Sequence, residues 1–125
     1  MYATVVDNTP RIHVSSGKHE ADYALDGSLM NPLEAFYASL AACAAVYAKK
    51  ACKGLGVPAA GIEISCKPFA GAGGPLTLGK FKTEVGFPAH FTAEQKEAIL
   101  DSIAHCAVKD IVADGPNIEF LVAEV

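Results

Sequence analysis

The sequence predicts an α+β fold. Two segments, 32–53 and 93–108, have the capping residues and apolar spacing of helices, and several shorter segments alternate apolar and polar residues as strands do. Their order along the chain is β-β-β-α-β-β-α-β, which favours an antiparallel sheet packed with two helices. Because the chain has 125 residues and no internal repeat, we expect a single domain, 1–125.

The predicted strands flank the first helix on both sides. Gly17 is expected to supply the positive φ of a tight turn within an early hairpin. The glycine-rich stretch 70–79 predicts a flexible loop between two later strands. The six predicted strands are 2–6, 11–16, 19–25, 61–69, 80–87 and 117–125.

Local signals mark the start of both helices. Asn31 suits the N-cap of the first helix, Pro32 its first turn, and Glu34 the acidic position of a capping box. Thr92 and Gln95 form the same kind of box before the second helix, and "KDIVADG" after it predicts a short helical turn. Apolar residues surround the first helix before position 49, so we expect that helix to be buried nearly all round.

Composition excludes several classes of function. The formal net charge is −4, and the nine lysines and one arginine are scattered, so no nucleic acid partner is expected. The longest uncharged run, 35–48, is shorter than the roughly 20 residues that a membrane helix needs. The first residues lack a basic leader followed by an apolar core, which predicts a cytoplasmic protein without a membrane partner.

The four cysteines are the residues with the most chemistry to offer. Cys43, Cys52, Cys66 and Cys106 are widely spaced and contain no Cys-x-x-Cys pair, so neither a disulfide scaffold nor a zinc site is expected. No metal or other cofactor is predicted. A cysteine among alanines, as in "AACAAV", is on its own most often a small buried hydrophobe. A packing role therefore stays open for Cys43.

Two cysteine-containing stretches resemble the motifs of a known family. "NPLEAFYASLAAC" (31–43) resembles the first cysteine motif of the OsmC/Ohr family, and "HCAVKDIV" (105–112) resembles the second. The resemblance implies an OsmC-like fold in an intertwined homodimer, with thiol peroxidase chemistry on small organic hydroperoxides. It further implies that Cys43 is oxidised to a sulfenic acid and that Cys106 resolves it as a disulfide, which an external thiol reduces.

Attack on a peroxide requires a thiolate, so Cys43 needs a nearby cation. Cys43 lies about three turns inside its helix, whereas the helix dipole acts within the first turn. Arg11, the only arginine, follows the first strand much as the functional arginine of Ohr enzymes does. The alternatives are that Arg11 is merely solvated, or that Lys18 in the hairpin turn supplies the cation.

The acid that orients this arginine departs from the family pattern. In Ohr enzymes it stands ten residues before the cysteine, where this chain has Leu33. Glu34 stands nine before and, at about 100° per residue, on the opposite side of the helix from Cys43. Glu34 is therefore either a site residue or only the helix cap. Ala107 departs as well, because the family often has proline after the second cysteine.

Three further side chains have both a functional and a packing interpretation. Ser39 and Tyr47 lie one turn on either side of Cys43 and would share its face. Ser39 is a candidate hydrogen-bond donor to the thiolate, whereas core packing is the simpler role for Tyr47. His105 either protonates a leaving group or interacts with carbonyls at a helix end.

Two other functions stay open from the sequence. Cys43 could carry sulfur or an acyl group without a peroxide step. Alternatively, the chain could be a non-enzymatic ligand-binding dimer in which both cysteines only pack, and Leu33 at the acid position favours that interpretation. A homodimer is expected in any case, because a helix that is apolar on all sides needs more cover than one small sheet provides.

Overall fold

The structure is a computed structural model and describes residues 1–124. The predicted α+β class is confirmed, with the strands paired as two antiparallel hairpins rather than one sheet, and with three helices rather than two. Backbone contacts group the chain into two compact units, Met1–Ser39 and the part from Leu40 onward. In chain order the elements are β1 (Arg11–Ser15), β2 (Glu20–Ala24), α1 (Pro32–Leu55), β3 (Glu63–Gly71), β4 (Gly74–Gly86), α2 (Ala93–Ile103) and α3 (Ala107–Asp114).

The hairpin of β1 and β2 forms as the glycine predicts. Gly17 has a φ of 87°, which only glycine adopts without strain, and the two strands pair in regular antiparallel register around it. The predicted strand 2–6 is wrong, because only Ala3 bridges to Ser15 through two backbone hydrogen bonds of 2.9 and 3.0 Å. Val5 and Val6 stay about nine-tenths exposed, so the segment lacks the apolar cover that stabilises a strand.

The hairpin of β3 and β4 replaces most of the predicted flexible loop. Both strands continue through the glycine-rich stretch and leave only positions 72–73 between them. Gly79 passes so close to Gly71 that a Cβ atom on Gly79 would lie 2.8 Å from the Gly71 Cα. Thr77 secures the turn, since its Oγ1 accepts from the Gly71 N–H at 3.1 Å and donates to the Gly74 carbonyl at 2.6 Å. The glycines here permit close strand pairing rather than flexibility.

Helix α1 begins with the predicted capping box. The Asn31 Oδ1 accepts from the Glu34 N–H at 2.9 Å, and the Glu34 Oε1 accepts from the Asn31 N–H at 3.2 Å. No helix in residues 1–124 is long and apolar enough to cross a membrane.

Within one chain, α1 is buried along one stripe only. The stripe recurs every fourth residue and consists of Leu40, Ala44, Ala48 and Cys52. The expectation of burial nearly all round is wrong for the single chain, because other apolar side chains of α1 are more than a third exposed: Leu33, Phe36 and Val46.

The core of the second unit forms where the C-terminal half of α1 meets α2. Its fully enclosed members are Ala48, Cys52, Phe91 and Ile99, and Ile99 has no exposed surface. Partly buried residues from β3 and its approach pack against them, including Ile62 and Ile64. This core holds α1, α2 and the inner face of the second hairpin together.

The second predicted helix ends early, and the short helical turn predicted over "KDIVADG" is confirmed as α3. The Thr92–Gln95 capping box forms as predicted, but α2 ends at Ile103 rather than at 108. A tight turn follows, in which the Cys106 N–H donates to the Ile103 carbonyl at 3.1 Å. Cys106 then takes an extended conformation as the N-cap of α3, which ends at Gly115 with φ 65°. The sequence has neither glycine nor proline at this turn between α2 and α3. The amphipathic pattern therefore continues through the turn and predicts one helix.

The predicted closing strand is also not formed. Positions 117–124 have no regular structure, and Val125 lies outside the described residues. Within residues 1–124 no strand pairs with this segment, and four of its apolar side chains are at least 70% exposed: Ile118, Phe120, Leu121 and Val122.

Candidate active site

The two cysteines singled out by the sequence lie together in the second unit. Cys43 is half-buried in the middle of α1, and Cys106 is 4% exposed at the N-cap of α3. The two side chains are close enough for Cys43 to help raise the pKa of Cys106, and both cysteines are free. The chain therefore brings two free thiols into contact, one of them accessible and the other enclosed.

The environment of Cys106 keeps it protonated. Burial raises the pKa of the Cys106 thiol, and the hydrogen bond and charge interaction with Cys43 raise it further. The N–H groups of Val108 and Lys109 pull that pKa the other way, but neither makes a capping bond of full geometry to the sulfur, so burial prevails. A protonated Cys106 can donate its S–H to the sulfur of Cys43.

A mainly apolar cavity of about 300 Å³ adjoins Cys106, and Ala44, the residue after Cys43, also lines it. Cys106 lines it, together with the hydroxyl-bearing Thr83 and the stem of Lys109. The rest of its wall is apolar and comes from four elements of the second unit and the turn after α2: Leu40, Ala44, Phe81, Ile103, Ala104 and Val112. Such a cavity suits a small organic molecule whose polar group meets the sulfur.

Arg11, the candidate cation, lies in the first unit on β1. Its Nη2 donates to the Asp22 Oδ2 at 2.7 Å, and the Asp22 Oδ1 is 2.7 Å from the His13 Nδ1. These two hydrogen bonds hold the pKa of Asp22 at about 2, and the pKa values of Arg11 and His13 are raised mainly by the same carboxylate. Asp22 is thus ionised at any ordinary pH and orients Arg11.

Asp22 is a residue that the sequence reasoning missed. The acid that holds Arg11 is this residue on β2, whereas Glu34 bonds to Asn31 as a helix cap and Leu33 is an exposed apolar side chain. A signal was available, since a hairpin turning at Gly17 pairs His13 with Asp22 and leaves Arg11 diagonal to it.

The remaining sequence candidates are engaged elsewhere or exposed. The Ser39 Oγ donates to the Phe36 carbonyl at 2.6 Å within its own helix, so its hydroxyl serves the backbone. The Tyr47 carbonyl accepts from the Ser102 Oγ at 3.2 Å, and its ring lies 5.0 Å from the Lys50 Nζ. Lys18 is exposed in the first hairpin turn, and His105 is exposed in the turn between α2 and α3.

Two further residues beside the cavity were not singled out by the sequence. Cys66 and Thr83 are cross-strand partners on β3 and β4, and the Cys66 Sγ lies 3.3 Å from the Thr83 Oγ1. The predicted alternation of β3 places Cys66 on the same face as Ile64, but only the strand register shows which residue it meets.

Comparisons with known proteins agree with this architecture. The family model described as OsmC-like protein matches residues 25–120. No curated protein sequence matches the chain. Among solved structures, an OsmC like protein from Mycoplasma pneumoniae has a TM-score of 0.74 at 13% identity, covering 92% of this chain and 87% of the other.

Two more solved structures share the fold. One is a protein of Psychrobacter arcticus 273-4 named for an osmotic stress induced and detoxification response, with a TM-score of 0.73 at 13% identity over 87% of this chain and 85% of the other. The other is named as an organic hydroperoxide resistance protein OsmC of Legionella pneumophila, with a TM-score of 0.56 at 15% identity over 90% of this chain and 87% of the other. At these identities the likeness establishes the fold alone. Because the family model extends over most of the sequence, from residue 25 to residue 120, this chain belongs to the OsmC-like family.

Proposed function

We propose that this protein is a thiol-dependent peroxidase that reduces small organic hydroperoxides. The observation that carries the proposal is the interaction between an accessible thiol, Cys43, and an enclosed one, Cys106, which lines an apolar cavity. The Legionella pneumophila protein that shares the fold is itself named for organic hydroperoxide resistance. A pair of thiols in contact is what a peroxidase needs in order to convert a first oxidation into a disulfide.

The proposed reaction uses the two thiols in turn. The Cys43 thiolate attacks the terminal oxygen of the hydroperoxide, so that an S–O bond forms, the O–O bond breaks and an alkoxide leaves, which takes up a proton to become an alcohol. The Cys106 sulfur then attacks the sulfenic acid on Cys43, forming a disulfide, and the departing hydroxide leaves as water with the Cys106 proton. An external thiol reductant reduces the disulfide and is itself oxidised. We propose that the protein acts in the cytoplasm.

The division of roles follows from accessibility and acidity. Cys43 is half-buried and therefore reachable by a substrate, whereas Cys106 is almost fully enclosed. The raised pKa of Cys106 keeps that thiol protonated while Cys43 reacts, and its S–H can stabilise a thiolate on Cys43. Cys43 is accordingly the attacking sulfur and Cys106 the resolving one.

The cavity favours an alkyl or aryl hydroperoxide over hydrogen peroxide. Its wall is mainly apolar, and burial of an organic group contributes about 25 cal/mol per Å² removed from water. Hydrogen peroxide has no such group to bury. We expect a higher kcat/KM for cumene hydroperoxide than for hydrogen peroxide, and the reverse preference would contradict this assignment.

We propose Arg11 as the cation that activates Cys43, with Asp22 rather than Glu34 orienting it. The support is the guanidinium–carboxylate hydrogen bond of 2.7 Å, which holds a permanently charged group in one place. Arg11→Lys keeps the charge but loses the planar fork, and Arg11→Ala loses both. We expect both variants to slow the oxidation of Cys43, Ala more than Lys, while Lys18→Ala leaves the rate unchanged.

Mass spectrometry of the intact protein tests the proposed function. Reduced protein treated with one equivalent of cumene hydroperoxide is expected to lose two hydrogens and to yield a peptide linking Cys43 to Cys106. Cys52→Ala is the matched control, because Cys52 is a buried thiol on the same helix whose removal should leave the disulfide intact. If neither thiol is oxidised, the interpretation as a non-enzymatic dimer would be favoured instead. If a sulfur donor forms a stable persulfide, the protein would be a sulfur carrier.

We further propose that the protein is a homodimer. The exposed apolar side chains of α1 and of the segment 118–122 are more surface than monomers usually leave uncovered. The alternating, unpaired segment 117–124 has the pattern of a strand that could add to the sheet edge of a second copy. Sedimentation should give a dimer at micromolar concentration, and a fully active monomer would refute this arrangement.

A further inference from the structure

The cavity that Cys106 lines also contains the hydroxyl of Thr83, which is within hydrogen-bond distance of a third cysteine. Thr83 lines the cavity and remains solvent-accessible, and its Oγ1 lies 3.3 Å from the Sγ of the half-buried Cys66. The two residues are direct cross-strand partners, so their side chains stand on the same face of the hairpin. This pair belongs neither to the predicted cysteine motifs nor to the hydrophobic core.

A hydroperoxide in this cavity needs a polar partner for its oxygens. Six of the nine lining residues are apolar, and an oxygen left without a hydrogen bond in such surroundings costs free energy. Apart from Cys106, the side chains that can donate are Thr83 and Lys109. Lys109 is about half-exposed and its Nζ already lies 3.0 Å from the Asp110 Oδ1, which draws it toward solvent. Thr83 is the donor with the better position.

The neighbouring thiol determines whether that donor is free. A hydroxyl has one proton to donate and can accept two hydrogen bonds, and a thiol is a weak donor. If the Cys66 S–H donates to the Thr83 Oγ1, the Thr83 O–H remains available to a ligand. The contact with Cys66 would then orient a donor toward the cavity without consuming it.

We propose that Thr83 hydrogen-bonds the leaving oxygen of the hydroperoxide and that Cys66 orients the Thr83 hydroxyl. This inference rests on the proposed peroxidase function. As the Cys43 sulfur bonds to the terminal oxygen and the O–O bond breaks, negative charge develops on the oxygen attached to carbon. The Thr83 O–H stabilises that charge, and solvent supplies the proton that converts the alkoxide to the alcohol. Thr83 is thus a catalytic residue and Cys66 a positioning residue.

The test measures a single oxidation of Cys43 as a function of the leaving group. Thr83→Val removes the hydroxyl with little change in shape, and Thr83→Ser retains it. For tert-butyl hydroperoxide, whose alkoxide is a strong base, we expect Thr83→Val to be slowed about tenfold, the effect of one lost hydrogen bond. For a peracid, whose carboxylate needs little stabilisation, the slowing should be about twofold or less. Thr83→Ser should behave as the wild type with both.

Equal slowing with both substrates, no slowing, or a Thr83→Ser variant as slow as Thr83→Val would each overturn the role of Thr83. Circular dichroism and unfolding curves for the three proteins confirm that the comparison is made between folded chains. If the proposed function itself is wrong, Cys43 of the wild type will react with both substrates no faster than free cysteine does. Failure of the inference is therefore distinct from failure of the function.

A double-mutant cycle tests the role of Cys66. If Cys66 acts only through Thr83, Cys66→Ala should slow the reaction with tert-butyl hydroperoxide roughly threefold, and Cys66→Ala/Thr83→Val should be no slower than Thr83→Val alone. Ser65→Ala is the matched control, since Ser65 precedes Cys66 on the other face of β3 and should leave the rate unchanged. Additive losses, or a Cys66→Ala variant equal to the wild type, would overturn the positioning role.

Discussion

The buried thiol of Cys106 interacts with that of Cys43, which helps to raise the pKa of Cys106, although Cys43 lies in α1 and Cys106 at the N-cap of α3, more than sixty positions further along the chain. Cys43 is half-buried within α1, and Cys106 is enclosed at the N-cap of α3. Under the proposed function, an accessible and a buried sulfur side by side would react in a fixed order, because the accessible one would meet the substrate and the buried one the product of the first step.

We expect Cys43→Ala to lower the pKa of Cys106 while leaving it above that of an ordinary thiol. The variant removes the hydrogen bond and charge that raise this pKa, but burial, the largest cause, remains. The measurement is the rate of iodoacetamide alkylation of Cys106 against pH, on a background without Cys52 and Cys66. An unchanged or higher pKa in the variant would mean that the two thiols are not coupled.

Glu34 should act as a helix cap and not as a charged site residue. Glu34→Gln keeps an acceptor for the Asn31 N–H and should preserve both stability and hydroperoxide turnover, whereas Glu34→Ala should lose about 0.5–1 kcal/mol of unfolding free energy. Urea unfolding and turnover measured on the same proteins check this. A stable Glu34→Gln protein with reduced turnover would show instead that the charge of Glu34 serves the site.

The hairpin of the first unit should become less stable as histidine loses its proton. Hydrogen bonding to Asp22 is the main cause that raises the pKa of His13, and Asp22, with a pKa of about 2, stays ionised while His13 titrates. The stabilisation that the His13–Asp22 interaction gives the hairpin is therefore complete below the pKa of histidine in the unfolded chain, about 6.5. It is lost as the pH rises through the raised pKa of His13 in the folded chain.

Replacement of the Asp22 carboxylate tests whether Asp22 is the main partner of His13. Asp22→Asn should lower the pKa of His13 measured from its imidazole proton shifts, because it removes the main favourable partner of the imidazolium. Glu20→Gln is the control with a smaller effect, since the Glu20 Oε1 is 3.6 Å from the other ring nitrogen. The reverse ranking of the two variants would show that Asp22 is not the dominant partner.

Two glycines should respond to alanine in opposite directions. Gly79→Ala places a Cβ atom 2.8 Å from the backbone of Gly71 and should destabilise the second hairpin by about 1–3 kcal/mol. Gly54→Ala, within α1 and with open space around it, should stabilise the protein by about 0.5 kcal/mol. Thermal unfolding of both variants measures these changes in stability. Equal changes in the two variants would contradict the close approach of β3 and β4.

The local elements could be predicted because their signals lie within a few residues of each other. Both capping boxes formed as their sequences indicate, and Gly17 turned the first hairpin. A capping box depends on side chains that bond to the end of their own helix, and the turn depends on the backbone conformation of one glycine. All the residues of each interaction therefore lie close together in the sequence. The two cysteine stretches were recognisable as a pair, since either motif alone is a weak signal.

What the sequence by itself determined was the class of fold and the starts of α1 and α2, and it nominated Cys43 and Cys106 as candidate site residues. Only the tertiary structure decided that α2 ends before Cys106, that Asp22 holds Arg11 and that Cys66 meets Thr83 beside the cavity. These relationships depend on strand register and on which side of each helix is buried. Both arise from packing between distant segments, and a one-residue change in register would bring different side chains together.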